Sequence, residues 1–534
     1  MAIDSTGGAG QNRAMSLLAR TSIVSAATLS SRVLGFVRDA ATAAVLGTGP
    51  AADALVAALA LPLLARRLLS EGAFNLAFIP ALAHAEGGGE GAPRRLAGAT
   101  LALLFGTLLA FALLAALFMP QVIRLLAPGF EPGGARADVA VLCGRVAVLY
   151  LPFAGLAAIY GGVANGAHRV LLPALAPVAA NLTVLAVIAV LLLRGLMESD
   201  TAAVAIAAAT VAAGVSQLGL MVVAARGCPA APGILPGGSA AISPAGWPWR
   251  KALGVIRAAA PAFLFAGLSQ FRLIIIAAAV SASPGAVAAL NYAQRLMDLP
   301  LGLVGASAGA VLVPALLRKS ALSGAASDAP EASGRAMLAA LAFALPAATG
   351  LAVLADPIVV TLFQRGSFDA EDAHLTGALL AILAVSLPAQ GLERILSATA
   401  STAGRVKMAE RVALGSLAVC LLSAFGLGLG AGPRAAAGAA ALSAFASLLV
   451  LGGLLVRAGA LVFSRAVLLS GLGLVAASLL MGGCVGMLAA LWPAPEGQSA
   501  AAVRLAGLVA SGAVVYGTAA WLLKALLPKL APQG

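Results

Sequence analysis

Fourteen long apolar runs, each about the length needed to cross hydrocarbon, constrain this chain more than any other feature. They lie near 20–45, 52–83, 97–119, 138–161, 170–193, 201–225, 254–280, 285–315, 336–361, 374–399, 410–430, 435–456, 466–490 and 502–525. A backbone in hydrocarbon must satisfy its own polar groups, so runs of this length predict helices. Only 10% of the 534 residues are charged and 61% are hydrophobic, which excludes a set of soluble domains. The expected class is therefore an all-α polytopic membrane protein with about fourteen transmembrane helices.

Orientation follows from basic residues. The amino-terminal tail, the connections after even-numbered helices and the carboxy terminus carry 19 Lys and Arg, among them Arg94, Arg95, Arg250, Lys251, Arg318, Lys319, Arg405 and Lys407. The opposite connections carry six: Arg124, Arg136, Arg194, Arg365, Arg434 and Arg504. The positive-inside rule then places both termini in the cytoplasm. Much of the net charge of +13 is topological and carries no implication of nucleic-acid binding. The polar first 19 residues, followed by a long apolar segment with internal charges, read as a cytoplasmic tail and not as a cleavable signal.

The chain also repeats itself. Leu151-Pro152, Gly155-Leu156 and Arg169-Val170 recur as Leu387-Pro388, Gly391-Leu392 and Arg405-Val406, at an offset of 236 throughout. Pro120, Gly129 and Phe130 are echoed by Pro357, Gly366 and Phe368, and Pro80-Ala81-Leu82 by Pro314-Ala315-Leu316. An offset of six helices preserves orientation, so two parallel six-helix lobes are expected, with a substrate site at their interface and two further helices at the end. The expected division is a cytoplasmic tail over 1–19, an N-terminal lobe over 20–225, a cytoplasmic linker over 226–253, a C-terminal lobe over 254–456, and helices 13 and 14 with a short cytoplasmic tail over 457–534.

Eight arginines fall inside the runs: Arg32, Arg38, Arg66, Arg67, Arg145, Arg272, Arg295 and Arg394. At a helix centre each costs about 2.5–3.5 kcal/mol, so each needs a partner, a watery cavity or a route to the interface. Arg67 with Glu71 and Arg295 with Asp298 have helical spacing and can neutralise one another, while Arg145 and Arg394 lie where they can snorkel. Arg32, Arg38 and Arg66 have no acid three or four residues away, and with Arg295 they are the leading anion-binding candidates. The acids in the same runs include Asp39, Asp53, Glu71, Asp298 and Glu393, fewer than the arginines, so the interior is expected to be net positive. A planar guanidinium that keeps its charge when buried suits the oxygens of a phosphorylated lipid. An exporter of cations would instead need an acidic cavity.

An intramembrane enzyme is the competing class. His84, His168 and His374 are isolated near helix ends, the Gly87–Gly91 stretch lacks the Lys-Ser/Thr of a phosphate loop, and the four cysteines lack metal or redox spacing. A transporter without catalytic residues or a cofactor is expected. Any coupling cation or metal ligand is unassigned.

Ser31-Arg32-Val33-Leu34-Gly35-Phe36-Val37-Arg38-Asp39, then Asp53-Ala54, Leu61-Pro62 and Leu64 to Phe74 closely resemble the signature of the MurJ (MviN) family. Ala127 to Phe130, Asn165 with Pro173 and Pro177, Arg295 to Pro300, and Leu362-Phe363-Gln364 with Gly366 and Phe368 extend the resemblance along the chain. These are lipid II flippases of the multidrug/oligosaccharidyl-lipid/polysaccharide exporter superfamily. The resemblance implies fourteen helices in two lobes forming a V, cytoplasmic termini in the bacterial inner membrane, and a tail groove beside helices 13 and 14. It also implies roles for Arg32, Arg38, Asp53, Arg66, Glu71 and Arg295, with Arg38, Arg66 and Arg295 on the diphosphate. Asp39, Arg67, Arg272 and Asp298 are accessory candidates.

Two residues depart from the family pattern: Gln294, where an acid is common, and Arg272, where the position is usually uncharged. The implied partners are lipid II, membrane lipids and the cell-wall synthesis machinery, with no nucleic acid. The alternative is a flippase for another polyprenyl-linked glycan, or a drug exporter of the same superfamily.

Overall fold

The computed structural model describes residues 7–70, 74–89, 91–232, 248–302, 329–493, 495 and 497–530. Among them every regular element is helical. The helices are α1 (Gly7–Leu46), α2 (Pro50–Ala65, continued by a π-helical turn Arg66–Ser70), α3 (Asn75–Glu86), α4 (Ala92–Leu117), α5 (Met119–Leu126), α6 (Ala135–Ala147), α7 (Tyr150–Gly166), α8 (Leu171–Leu193), α9 (Asp200–Ala225) and α10 (Trp249–Val280). After them come α11 (286–302), α12 (Ala329–Val353), α13 (Ala355–Phe363), α14 (Ala370–Ala384), α15 (Leu387–Thr402), α16 (Val406–Ala437), α17 (Ala439–Arg457), α18 (Arg465–Leu491) and α19 (Gln498–Leu530).

Ten of the described helical segments are long and apolar enough to cross a membrane, and an eleventh arises if α14 and α15, bent by 43°, form one span. The remaining runs of the sequence correspond to α1, α2 with α3, and α11. In α1 the charges Arg32, Arg38 and Asp39 dilute the apolar character, and α2 and the described part of α11 are short. Several runs that read as single helices are broken, around Val148, at Leu354 and around Ser386, and the run over 97–119 ends at Phe118, where a separate short helix begins. Outward-facing Leu193, Leu422 and Leu449 are 86%, 74% and 72% exposed, the inverse of a soluble surface and the arrangement expected against lipid.

Contacts divide the chain into two units. The first comprises the described residues within 1–45, 58–123 and 137–266, and the second those within 46–57, 124–136 and 267–534. In the first, α7 packs on α4, α8 and α9, and α8 on α9. In the second, α15 packs on α12, α16 and α17, and α16 on α17. The starts pair as Ala92 with Ala329, Tyr150 with Leu387, and Leu171 with Val406, so the sequence repeat is also a repeat of packing. Pro80-Ala81-Leu82 lies in α3, while its echo at 314–316 is outside the described residues.

Local signals fix several helix starts. Ser199 and Ser464 accept the backbone N–H three residues on, and Asp369 does the same for Asp372. The last two helices pack on one another, and α18 lies against α12 and α19 against α13. Leu354, Met481, Val485 and Leu508 form their shared core.

Candidate substrate-binding site

In the first unit, Arg38 projects from α1 and is 14% exposed. Its Nε and Nη2 donate to Asp39 Oδ1 at 3.1 and 2.6 Å, and its Nη1 donates to Asn181 Oδ1 of α8 at 3.0 Å. Asn181 is itself buried, and its Nδ2 donates to the Ser31 carbonyl of α1 at 3.0 Å. One amide therefore pins the α1 backbone and orients the guanidinium about two turns further on. Arg32, on the same helix, is exposed. Arg66 and Arg67 open the π-helical turn that continues α2, and both are half-buried. Glu71 lies outside the described residues, and with it the expected Arg67–Glu71 pair. Arg145 is exposed and donates from Nε to the Ala116 carbonyl.

In the second unit, Asp53 is wholly buried, and the cause is visible in its partners. It accepts the N–H of Gly285 at 2.8 Å and that of Ala288 at 2.9 Å, so its carboxylate caps the N-terminus of α11. A carboxylate there satisfies donors that the helix leaves open and complements the helix dipole. Arg136 Nη1 stands 3.4 Å from Asp53 Oδ2 and 3.3 Å from the Ser281 carbonyl, with its guanidinium over the Phe130 ring. Ser281 Oγ accepts the Gly129 N–H at 2.8 Å. A Cβ at Gly129 would fall inside the backbone of Ala282, which explains a glycine there.

The segment around Asp53 is held at two more points. Thr48 donates its N–H to Asp372 Oδ2 at 3.0 Å and its hydroxyl to Asp372 Oδ1, and Tyr292 donates to the Gly47 carbonyl at 3.1 Å. Gly285 has φ +77°, and a Cβ there would stand 2.8 Å from Thr48 Oγ1.

Arg295 and Asp298 face one another at 4.0 Å with 17% and 27% exposure, a loose pair. Gln294 Nε2 donates to Asp298 Oδ1 at 3.0 Å, so the amide at this position ties the turn together. Arg394 is exposed and donates to the Leu301 carbonyl. Arg272 is enclosed: its two terminal nitrogens meet Glu393 at 2.7 and 2.9 Å, and it is 3% exposed. That guanidinium is occupied within the protein.

Sequence reasoning did not single out Asn181, Arg136, Ser281 or Asp372. Asn181 and Ser281 carry no charge to flag them, and Arg136 and Asp372 lie in connections, where charge is ordinary. No cluster of three or more His, Cys, Asp or Glu side chains suited to a metal occurs among the described residues.

The profile of the lipid II flippase MurJ family matches residues 42–500. The chain belongs to that family. A probable lipid II flippase MurJ of Rhizobium tropici is 36% identical over 377 residues, covering 70% of this chain and 69% of the relative. Another, from Rhizobium meliloti strain 1021, is 38% identical over 379 residues, covering 70% and 68%. The lipid II flippase MurJ of Burkholderia cenocepacia is 30% identical over 416 residues, covering 77% and 78%.

Among solved structures, a lipid II flippase MurJ in an inward closed conformation superposes with a TM-score of 0.76 at 20% identity, covering 94% of this chain and 99% of that one. An inward-facing multidrug resistance transporter of the MATE family gives 0.62 at 15% identity, covering 80% and 94%. At these identities the likeness is one of fold. As a MurJ family member with many apolar helices, the chain is a multi-pass membrane protein.

Proposed function

We propose that this chain moves lipid II, the undecaprenyl-diphosphate-linked muropeptide, from the cytoplasmic to the periplasmic leaflet by alternating access. Its place is the bacterial inner membrane, with both termini cytoplasmic as the basic-residue bias indicates. Family membership supports the substrate, and the arrangement of the charges supports the mode of binding. The observation that carries the reading is the half-buried fork of Arg38, steadied by Asp39 and Asn181 on otherwise apolar helices. Such a fork recognises phosphate oxygens bidentately.

Arg38, Arg66 and Arg295 contact the diphosphate, and Arg32, Asp39, Arg67, Glu71 and Asp298 shape its surroundings. Asp53 serves by capping α11 and holding its start to α2. Arg272 takes no part in binding, because Glu393 neutralises it. The chain performs no covalent chemistry, and lipid II is handed to cell-wall synthases. A drug exporter shares the fold, but its cationic substrates would meet a basic interior.

Depletion of the protein in cells lacking other flippases, followed by a leaflet-specific measurement of lipid II, tests the reading. The periplasmic pool should fall while the cytoplasmic pool rises. An unchanged distribution would overturn it.

A further inference from the structure

The break between α4 and α5 at Phe118 and that between α12 and α13 at Leu354 are 236 residues apart, the offset of the repeat. The inward faces agree in the same register: buried Ala97, Leu104 and Ala112 of α4 correspond to buried Ser333, Ala340 and Ala348 of α12. In the second unit another side of α12 carries a helix pair. Gly482 of α18 comes so near that a Cβ would fall 2.5 Å from the Thr349 methyl carbon, and Gly471 and Gly486 lie against Leu338 and Val353. The Tyr516 hydroxyl of α19 donates at 2.8 Å to the Ala342 carbonyl, which Pro346, having no N–H, leaves open.

The corresponding positions on α4 are Ala102, Gly106, Leu113 and Leu117. Leu113 and Leu117 are 57% and 67% exposed, and a Cβ on Gly106 would meet nothing within 4 Å. The surface here is a groove of about 620 Å³, lined by small Ala102, Gly106 and Ala110 and, among others, by bulky Phe111, Leu114 and Trp249. Small residues one turn apart let a second backbone approach, a recurrent basis of helix packing within a bilayer. Thr107 faces the same groove. Thr42, Thr100, Thr183 and Thr210 each donate to the carbonyl four residues back, whereas Thr107 has no partner among the described residues. Trp249 opens α10, and exposed Arg250 and Lys251 follow it, so the groove is flanked by positive charge.

We propose that this face of α4 docks one transmembrane helix of another membrane protein. That helix has Gly or Ala where it crosses Gly106, an acceptor opposite Thr107 and an acidic side chain at the end that meets Arg250 and Lys251. The second unit covers the equivalent face with helices of its own chain, and the first leaves it to a partner. An acyl chain would fill the volume but offers no acceptor to Thr107, which stands in the middle of its apolar run. This inference does not depend on the identity of the transported lipid.

Energy transfer in vesicles of phosphatidylethanolamine and phosphatidylglycerol tests it, between the full chain labelled at its carboxy terminus and a labelled synthetic helix of about 24 residues. The probe is a leucine helix with Gly, Ala and Gly four residues apart, a serine beside them and a glutamate at one end. Its control has leucine at the three small positions. The probe should associate about fivefold more tightly than the control, and Gly106→Ile should remove that difference. Because position 106 faces open space, Gly106→Ile should flip lipid II at the wild-type rate without the probe, which shows that it is folded. If it does not, Ala110→Ile on the same stripe is held to the same result. Equal association of probe and control, association untouched by the variant, or loss of flipping in both variants would overturn the proposal. So would energy transfer between two labelled copies of the chain that Gly106→Ile abolishes, which would make the occupant a second copy. Slowed exchange of spin-labelled phosphatidylglycerol at the groove, with no probe bound, would assign it to lipid and overturn the proposal as well.

Discussion

Replacing Asp53 by Asn preserves its shape and removes the charge from the end of α11, so its effect follows from the geometry around one carboxylate. The carboxylate accepts two backbone N–H groups at 2.8 and 2.9 Å and faces Arg136 at 3.4 Å, with no exposure to solvent. An amide retains one acceptor oxygen and turns its NH2 toward a second donor, leaving a buried N–H unsatisfied at about 1–3 kcal/mol. Loss of negative charge at a partly buried helix N-terminus adds up to about 2 kcal/mol. Because these contributions overlap, the expected weakening is about 2–4 kcal/mol, or roughly 30- to 1,000-fold in the local opening equilibrium.

Hydrogen exchange reads that equilibrium directly at the amides concerned. In Asp53→Asn, exchange over 285–288 should accelerate by that factor, while amides in α17 keep their wild-type rates. Exchange over 285–288 within threefold of wild type would refute the claim that this carboxylate holds the two segments together.

Three other substitutions probe the remaining pieces. Arg66→Ala should slow lipid II flipping in proteoliposomes by about 10- to 100-fold, the worth of a charge-assisted contact, and Arg66→Lys should recover little because it lacks the planar fork. Normal flipping by Arg66→Ala at normal protein level would remove it from the site. Asn181→Ala frees one side of Arg38 and should weaken lipid II binding about 10-fold, whereas Asn181→Asp, which adds a second carboxylate to the fork, should weaken it more. The reverse order in a binding titration would contradict the positioning role. Gly129→Ala must displace the backbone at Ala282 and should lower Tm by several degrees, whereas Gly106→Ala, with open space around it, should leave Tm unchanged. Equal Tm values for the two variants would show that the 129–282 approach bears no strain.

Much of the helical architecture was legible because the bilayer restricts the choice so severely. An apolar run of the right length has one solution, and the repeat, read from Leu151-Pro152 and Leu387-Pro388, returns as matching packing partners. The breaks were not legible. The run over 138–161 carries Arg145 and Pro152 on either side of the interruption around Val148 but neither at it, and no proline falls at the break between Ala65 and the π-helical turn at Arg66. Burial cost flagged the eight arginines, of which Arg38, Arg272 and Arg295 stand beside acids while Arg32, Arg145 and Arg394 are exposed, but only partners three or four residues away are visible in a sequence. Glu393 stands 121 positions from Arg272 and Asn181 stands 143 from Arg38, and only folding brings them together. Arg136 was counted as an ordinary connecting-loop charge, although it faces Asp53 from 83 residues away.

The two units use the same device toward opposite ends. In each, an arginine on the first helix is bonded to a polar side chain on the fifth: Arg38 of α1 to Asn181 of α8, and Arg272 of α10 to Ser416 of α16. What separates them is the source of the carboxylate. Arg38 takes its acid from the neighbouring residue, Asp39, and both side chains keep about one seventh of their surface exposed. Arg272 takes its acid from another helix, and the fork closes on Glu393 with nearly nothing left to solvent. An adjacent acid shares a guanidinium with an incoming anion, because it can turn about its own χ angles without disturbing the packing. An acid reaching across from α15 cannot withdraw without opening the core, at a cost of about 3–5 kcal/mol for a broken buried pair. Charge count alone therefore does not locate an anion site in such a chain. The deciding quantity is how much it costs the resident carboxylate to move aside, and on that measure Arg38 is available to a diphosphate while Arg272 is not.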